Sequence, residues 1–501
     1  MAMPERQPEH KPLKGIKVAL TAIDLEQQEH RGIAFFTRNL AQTLHELGCD
    51  VYLITALRSY RVSAKQLSKM CHSSAHSAQL ADIIHQLSQP KQQPGLKAQS
   101  LIAKARTVVW ASKLLLLFWF RRGLAKVSQE LTLTHTDLTP YQGLDRLQVL
   151  AWASGFLQSP AIYALASLRS RGWLSKPPKL DLRRRGVQLL ITSCPLSLEA
   201  ISDRGEPIPS LQVIHDCFAL EVAQHPDHPW QLYNRLADAL NHHCLFVSEQ
   251  TRRQTLALLQ KYPDPGRQSI IHQPPSLSEN HLNAALLLPE LRGLRSPFLL
   301  FNASVVPRKN LLFLIQLFRA SSLNKAGVRL VIAGKIHPDP YGQSIHECCR
   351  GDSSIELWGY VNELEKAWLF LRALALASPS GMEGFGIPVL DGGCLGLPVL
   401  ASAIPSHAEI AALLGHPPNL KLLPLNDNLA WVAALQGLTA PALVPTETML
   451  QERLRAYHHA QSRLRQTFAE QLAAALQAAL GRGTTGPVLP HSGPDQRQIP
   501  A

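Results

Sequence analysis

Glu383 and Asp391 stand eight positions apart in GMEGFGIPVLDGGCLGLPV, Gly381 to Val399, with a Gly-Phe-Gly turn and a proline between them. Two carboxylates around a turn so poor in side chains suit a ligand that the backbone must approach closely. Gly384 and Gly386 permit that approach. Pro388 fits a first helical turn, where its missing N–H would be unpaired in any case. The free N–H groups at the start of that helix form an anion site. Asp391 falls one turn inside the helix and Glu383 lies on the loop. One short element thus offers amides for a phosphate and carboxylates for hydroxyl groups, and a sugar nucleotide carries both.

The elements that must hold this loop are legible as alternating strands and helices. ALASPS reads as the strand before it and IPVLDGGCLG as the helix after it, stopped at Gly396. Upstream, PFLLFNASV, VRLVIAG and IELWGYV read as strands, and KNLLFLIQLFRAS and ELEKAWLFLRAL as helices; downstream, PVLASAI reads as the last strand. The first half repeats the theme. KGIKVALTAID and CDVYLIT are strands around a helix whose Phe36, Leu40, Leu44 and Leu47 share one face, with Gly48 ending it. GVQLLITSCP and SLQVIHDCF are further strands, and HHCLFVSEQTRRQTLALL enters a helix with Ser248 placed to cap it.

These βα units predict two doubly wound domains facing each other across a cleft, with ligands at the carboxyl ends of the strands. The expected boundaries are a flexible N-terminus over 1–13, a first domain over 14–265, a linker over 266–297, a second domain over 298–480 and a disordered Pro/Gly-rich tail over 481–501. Residues 56–185 do not fit the rhythm. Part must complete the first domain, and part, about 60–185, reads as a basic insertion. Its stretch Leu101 to Arg122 suits a helix with an apolar body and basic ends, either lying in a bilayer interface or packed as a core helix.

The 501 residues are ordinary for a globular protein, 46% apolar and 17% charged. MAMPERQPEHKPLKG has no apolar stretch, so a secretory signal is not expected, and no run reaches the ~18 apolar residues of a membrane span. Eight scattered cysteines fit no zinc spacing and read as thiols of a reducing cytosol. The net charge of +13 concentrates in residues 91–190, which hold 16 Lys/Arg against 4 Asp/Glu. An anionic partner follows: membrane headgroups, a phosphorylated acceptor or nucleic acid.

PSGMEGFGIPVLDGGCLGLPVLAS resembles the signature of the retaining GT-B glycosyltransferases of family 4, the glycosyl transferases group 1, whose motif is E-x7-E; here it reads Glu383-x7-Asp391. ASVVPRKNLLFLIQLF is similar to that family's turn ending in R-K-N, where a basic pair binds the donor diphosphate; Arg308 and Lys309 match it. In LVIAGKI, Gly334 and Lys335 resemble the family's donor-side segment. In QVIHDCFALE, His215-Asp216 resembles its H-D, where the histidine faces the cleft near sugar and acceptor. VSEQTRR matches a segment that is mainly structural.

The resemblance implies a metal-independent hexosyl transfer, of mannose or glucose type, from a nucleotide sugar to a saccharide or lipid-linked acceptor, with retention. Catalytic roles fall to His215, Arg308, Lys309 and Glu383. Donor contacts fall to Gly334, Lys335, Gly384, Phe385, Gly386, Ile387 and Asp391, with Asp391 on the ribose, and the acceptor side to Gly32 and Asp216. No cofactor is implied beyond the donor substrate. The expected setting is polysaccharide biosynthesis in the cytoplasm, peripheral on the membrane's inner face, with membrane contact through 91–190.

Three features depart from the family pattern: Arg31-Gly32 where Gly-Gly is usual, Asp391 where the second acid is Glu, and Gly392-Gly393 in the helix. The first two keep a non-catalytic GT-B carbohydrate- or membrane-binding module open. A nucleic-acid binder lacks an aromatic-interleaved module here, and a phosphorylase lacks a cofactor-lysine motif.

Overall fold

In a computed structural model of the chain, the described residues are 11–27, 32–57, 72–89, 109, 112, 114–116, 118–120, 123–133, 145–222, 228–439 and 445–481. The tail expected over 481–501, apart from its first residue, and Arg31 lie outside them, as does most of 1–13. The first half supplies β1 (Lys17–Thr21), β2 (Asp50–Thr55), β3 (Leu124–Lys126), β4 (Gln129–Thr132), β5 (Gly155–Gln158), β6 (Lys179–Asp181), β7 (Leu189–Thr192), β8 (Glu199–Ile201), β9 (Ser210–Ile214), β10 (His243–Phe246) and β11 (Gln268–Ile270). The second supplies β12 (Phe298–Asn302), β13 (Arg329–Ala333), β14 (Ile355–Gly359), β15 (Ala375–Ser378), β16 (Val399–Ser402) and β17 (Leu420–Leu423).

The second-half sheet runs β14-β13-β12-β15-β16-β17, every pairing parallel. Numbered from β12, that is the order 3-2-1-4-5-6 of the dinucleotide-binding folds, with the switch point between β12 and β15. Strands such as RLVIA and VLAS are near-continuously apolar because helices cover both faces of a parallel sheet. The sequence reading stops the sheet at PVLASAI; the structure adds β17, whose Leu420 to Leu423 pair with Val399 to Ser402. LKLL is short and only partly buried, too weak a pattern to stand out alone.

The first sheet has the same logic, β11-β10-β9-β7-β1-β2-β5-β4, parallel except for the edge pair β4–β5. Its switch point lies between β1 and β7. It reaches Ile270, five residues beyond the boundary read from the sequence, because β11 pairs with β10. Part of the unplaced stretch completes this sheet: β5 lies against β2, and β4 beyond it. Another part, β3 and β6, joins β8 in a small parallel sheet.

The helix Glu447–Ala479 ties the halves together. Leu450, Leu454, Tyr457, Gln461, Leu464, Phe468, Leu472 and Leu476 recur every three or four residues and are buried. Phe468 meets Phe36 of the first domain edge to face at 5.8 Å, and Gln471 Oε1 accepts the His272 N–H at 3.0 Å. The seven described cysteines form no disulfide, and five of them are buried. Among the described residues, no helix is long and apolar enough to cross a membrane.

Candidate functional site

Two loops leave the carboxyl ends of the strands that flank the second switch point. After β12 the chain passes through Pro307–Lys309, and Asn310 adopts a left-handed conformation (φ 56°) that turns it into the helix Leu311–Ala320. After β15 it passes through Ser380 to Gly386 into the helix Ile387–Cys394. The Gly381 N–H donates to Arg308 O at 2.8 Å, joining the loops. Gly386 (φ 111°) is the N-cap of that helix, so the glycine is required by the turn itself.

Glu383 sits between the loops, 9% exposed. Its Oε1 accepts from the Lys309 ammonium, its Oε2 from Arg308 Nη1 at 3.1 Å, and Oε1 again from Ser380 Oγ at 2.7 Å. Burial alone would raise its pKa, but Lys309, Arg308 and His407 together bring it down to about 2. It is therefore an anion at any physiological pH, an acceptor for hydroxyl groups and not a proton donor. Burial lowers the Lys309 pKa, while Glu383 holds the ammonium charged. Arg308 lies over the Phe218 ring, 4.5 Å from its centroid, and donates to Met382 O at 3.1 Å. Two cations share one carboxylate beside the glycine loop, with the Asp216 charge also acting on Lys309.

Gly334 and Lys335 follow β13, which pairs with β12 in the sheet. A Cβ on Gly334 would stand 1.8 Å from Ala303 O, so only glycine lets the two strand ends close up. Lys335 is half-buried, and its carbonyl accepts from Val305 N at 2.9 Å.

The first domain meets this loop directly. Ser248 caps its helix as expected, accepting from Thr251 N at 3.0 Å, and both hydroxyls also donate to Gly384 O, at 2.5 and 3.0 Å. A segment that reads as structural from sequence thus also grips the loop between β15 and the helix Ile387–Cys394. Glu409 of the helix Pro405–Leu413 accepts from Glu249 N and from His272 Nε2, both at 2.8 Å, and His272 stacks on Phe385 at 5.9 Å. Gly32 opens the helix Gly32–Glu46, and a Cβ there would lie 3.3 Å from Ile387 Cδ1. His215 Nε2 lies 2.8 Å from Ser193 O; a carbonyl only accepts, so Nε2 carries the proton and Nδ1 is left as the acceptor. Burial lowers the His215 pKa, against Ser193 and the Asp216 charge, so the ring is neutral at pH 7. Asp216 lies opposite Gly384, its Cβ 3.3 Å from where a Gly384 methyl would sit.

Asp391 behaves differently from its neighbours. It is fully buried, accepting at 2.5 Å from both Ser276 N and Ser276 Oγ, with Lys366 Nζ 3.5 Å away. Its carboxylate joins the interdomain linker to the helices Glu363–Arg372 and Ile387–Cys394. Aspartate, one methylene shorter than glutamate, stays inside this cage; burial raises its pKa while Lys366 and Ser276 oppose the rise. The Gly392-Gly393 pair has a packing reason: methyls there would come within 2.8 Å of Val399 and 2.5 Å of Leu414.

Sequence reasoning missed three groups. His407 is fully buried behind the loop; Nδ1 contacts Ser402 O at 2.9 Å, and Nε2, near Gly386, has no hydrogen-bond partner. Asp24 and Glu26 follow β1 at the first switch point. Asp24 Oδ1 accepts from Ser193 Oγ at 2.6 Å, and Glu26 Oε1 from Thr55 Oγ1 at 2.7 Å. Burial pushes them up to about 6 and about 7. A strand-end acid was the one signal available for either.

Two Rossmann-like domains facing each other, with linker and crossing helix, are the GT-B fold of glycosyltransferases. Residues 290–415 match the family described as glycosyl transferases group 1, a stretch that contains Arg308, Lys309, Glu383 and Asp391. Over 173 residues the chain is 24% identical to O-antigen chain mannosyltransferase B of Escherichia coli, an alignment covering 32% of this chain and 45% of that protein. The chain therefore spans less than half the length of that curated relative. Sucrose-phosphate synthase from Thermosynechococcus elongatus is similar in structure, with a TM-score of 0.54 at 14% identity over 93% of this chain and all of the other. Anabaena HepE, solved with UDP and glucose, has a TM-score of 0.50 at 12% identity over 91% of this chain and 99% of its own.

Proposed function

We propose that this chain moves a hexosyl group, of mannose or glucose type, from a nucleotide sugar to a saccharide or lipid-linked acceptor. The observation that carries the reading is the Arg308–Lys309–Glu383 cluster at the switch point of the second sheet, on a loop whose Gly384 backbone lies against the His215 carbonyl. Arg308 and Lys309 hold the diphosphate and stabilise its charge as the glycosidic bond breaks. Glu383, ionised, accepts from donor-sugar hydroxyls, and the amides of Phe385, Gly386 and Ile387 position the donor at the helix start. Neutral His215 offers Nδ1 as an acceptor beside the reacting centre. Retention, with acceptor entry on the face the phosphate leaves, follows from the family-4 resemblance, as does independence from metal. The matches to a group 1 glycosyltransferase family and to a mannosyltransferase support the class and the hexose type. The setting is the inner face of the cytoplasmic membrane, with peripheral contact through the basic segment 91–190.

Purified chain should release nucleoside diphosphate from one of the UDP-, GDP- or ADP-sugars, Lys309→Ala should not, and NMR of the product should show the donor's anomeric configuration. No release with any donor and acceptor would overturn the reading. The buried Asp391, which in this arrangement does not meet the cleft, favours the second reading, a carbohydrate- or membrane-binding GT-B module without turnover.

A further inference from the structure

Residues 91–129 contain eight Lys/Arg and no acidic residue. Within them, positions 109, 112, 114–116 and 118–120 are all helical. At about 100° per residue, these positions divide into two arcs. Leu114, Leu115 and Phe118 fall on one and pack against a buried cluster that includes Tyr52, Ile54, Leu157 and Leu180. Val109, Leu116, Trp119 and Phe120 fall on the opposite one, an arc of roughly 100°, and are 54, 56, 74 and 73% exposed. Gly123 (φ 82°) ends the helix, returning its N–H to Phe118 O at 3.0 Å, and leads into β3. The exposed stripe is thus fixed to the first domain at its inner face and at its end.

We propose that this stripe is a membrane-docking face that inserts Leu116, Trp119 and Phe120 among the headgroups of an anionic bilayer. The inference deepens the membrane contact of the proposed function and rests on that reading. Single exposed apolar residues need no explanation, but four on one face, two of them aromatic rings in edge contact at 5.4 Å, form a patch. Aromatic rings at an interface with basic residues in the surrounding sequence, among them Lys113, Arg121 and Arg122, match the chemistry of an anionic lipid surface. The absence of any acid over 39 residues fits a uniformly negative partner better than a protein surface of mixed charge. Because the inner arc of the helix packs on the first domain, the exposed face can lie on the bilayer surface.

The test is co-sedimentation of the full chain with vesicles of phosphatidylcholine, with and without phosphatidylglycerol, beside the double variant Trp119→Ser/Phe120→Ser. The expected result is binding to the anionic vesicles only, weakened by about 0.5 M salt, and reduced about tenfold in the variant. The proposal is overturned if the wild type stays in the supernatant with anionic vesicles or if the variant binds as the wild type does. It is also overturned if sedimentation velocity shows a dimer that the variant loses, since the face would then belong to a second copy. Nucleotide-sugar binding, measured without vesicles on both proteins, reports separately on the transferase reading: a docking failure leaves it intact, and a donor failure leaves docking intact.

Discussion

The backbone of Gly384 lies against His215 across the cleft: a Cβ added to Gly384 would stand 2.2 Å from the His215 carbonyl oxygen. His215 of the first domain and the glycine loop of the second are thus in main-chain contact. Gly384→Ala must open the cleft or shift the loop, and either loses the Ser248 and Thr251 hydrogen bonds to Gly384 O. A displacement of an ångström at a reacting centre costs about 10²-fold in rate. The expected outcome is a loss of that order with the fold intact by circular dichroism, and a larger radius of gyration in solution scattering.

Glu383→Gln separates the roles within the charge cluster. The two cations lose their protein anion, so the diphosphate keeps or gains affinity while the sugar loses its ionised acceptor. The expected outcome is an unchanged or lower KM with a kcat reduced about 10²–10³-fold, the scale of a lost transition-state contact. Lys309→Ala should instead lower kcat/KM through both parameters.

The carboxylates of the two domains answer pH with opposite sign. Glu383, held down to about 2 from 4.5, contributes stability above pH 4.5 that is lost as pH falls toward 2, about 3 kcal/mol in all. Asp24, raised from 3.8 to about 6, costs stability as pH rises through that interval, and the cost persists above it, again about 3 kcal/mol. Asp24→Asn keeps an acceptor for Ser193 Oγ and removes the cost. Thermal melts should show the variant's advantage over wild type growing from about pH 4 to about pH 7. A constant difference would contradict it.

Asp391→Ala is expected to act on stability before donor affinity. It leaves the Ser276 N–H and Oγ without their acceptor inside the protein, and loss of one partner of a buried polar cluster costs about 3–5 kcal/mol. A large drop in Tm with donor binding retained is the prediction. A donor-affinity loss at unchanged Tm would assign the residue to the ribose instead.

Much of this was legible in the chain. The strand–helix rhythm and its start and stop signals, Ser248, Gly48 and Gly396, are set by the chain's local pattern, even where, as at Ser248, the side chain also reaches Gly384 O far away in sequence. The loop from Glu383 to Ile387 announces itself because close backbone approach demands glycine at fixed positions. The cage around Asp391 did not, since Ser276 and Lys366 are 115 and 25 positions away and nothing in QPPSLSEN points to them. His407 was hidden for the same reason: it meets the loop only through the fold. β17 and the small β3–β6–β8 sheet are three- and four-residue strands, too short for a period to register.

The most direct test of the central claim is thermal-shift titration of wild type and Lys309→Ala against UDP-, GDP- and ADP-sugars. A donor at 100 times its dissociation constant adds about 2.7 kcal/mol of stability. The account predicts a clear shift with one nucleotide class that disappears in Lys309→Ala. A shift of equal size in both proteins would contradict the assignment of the diphosphate to Lys309.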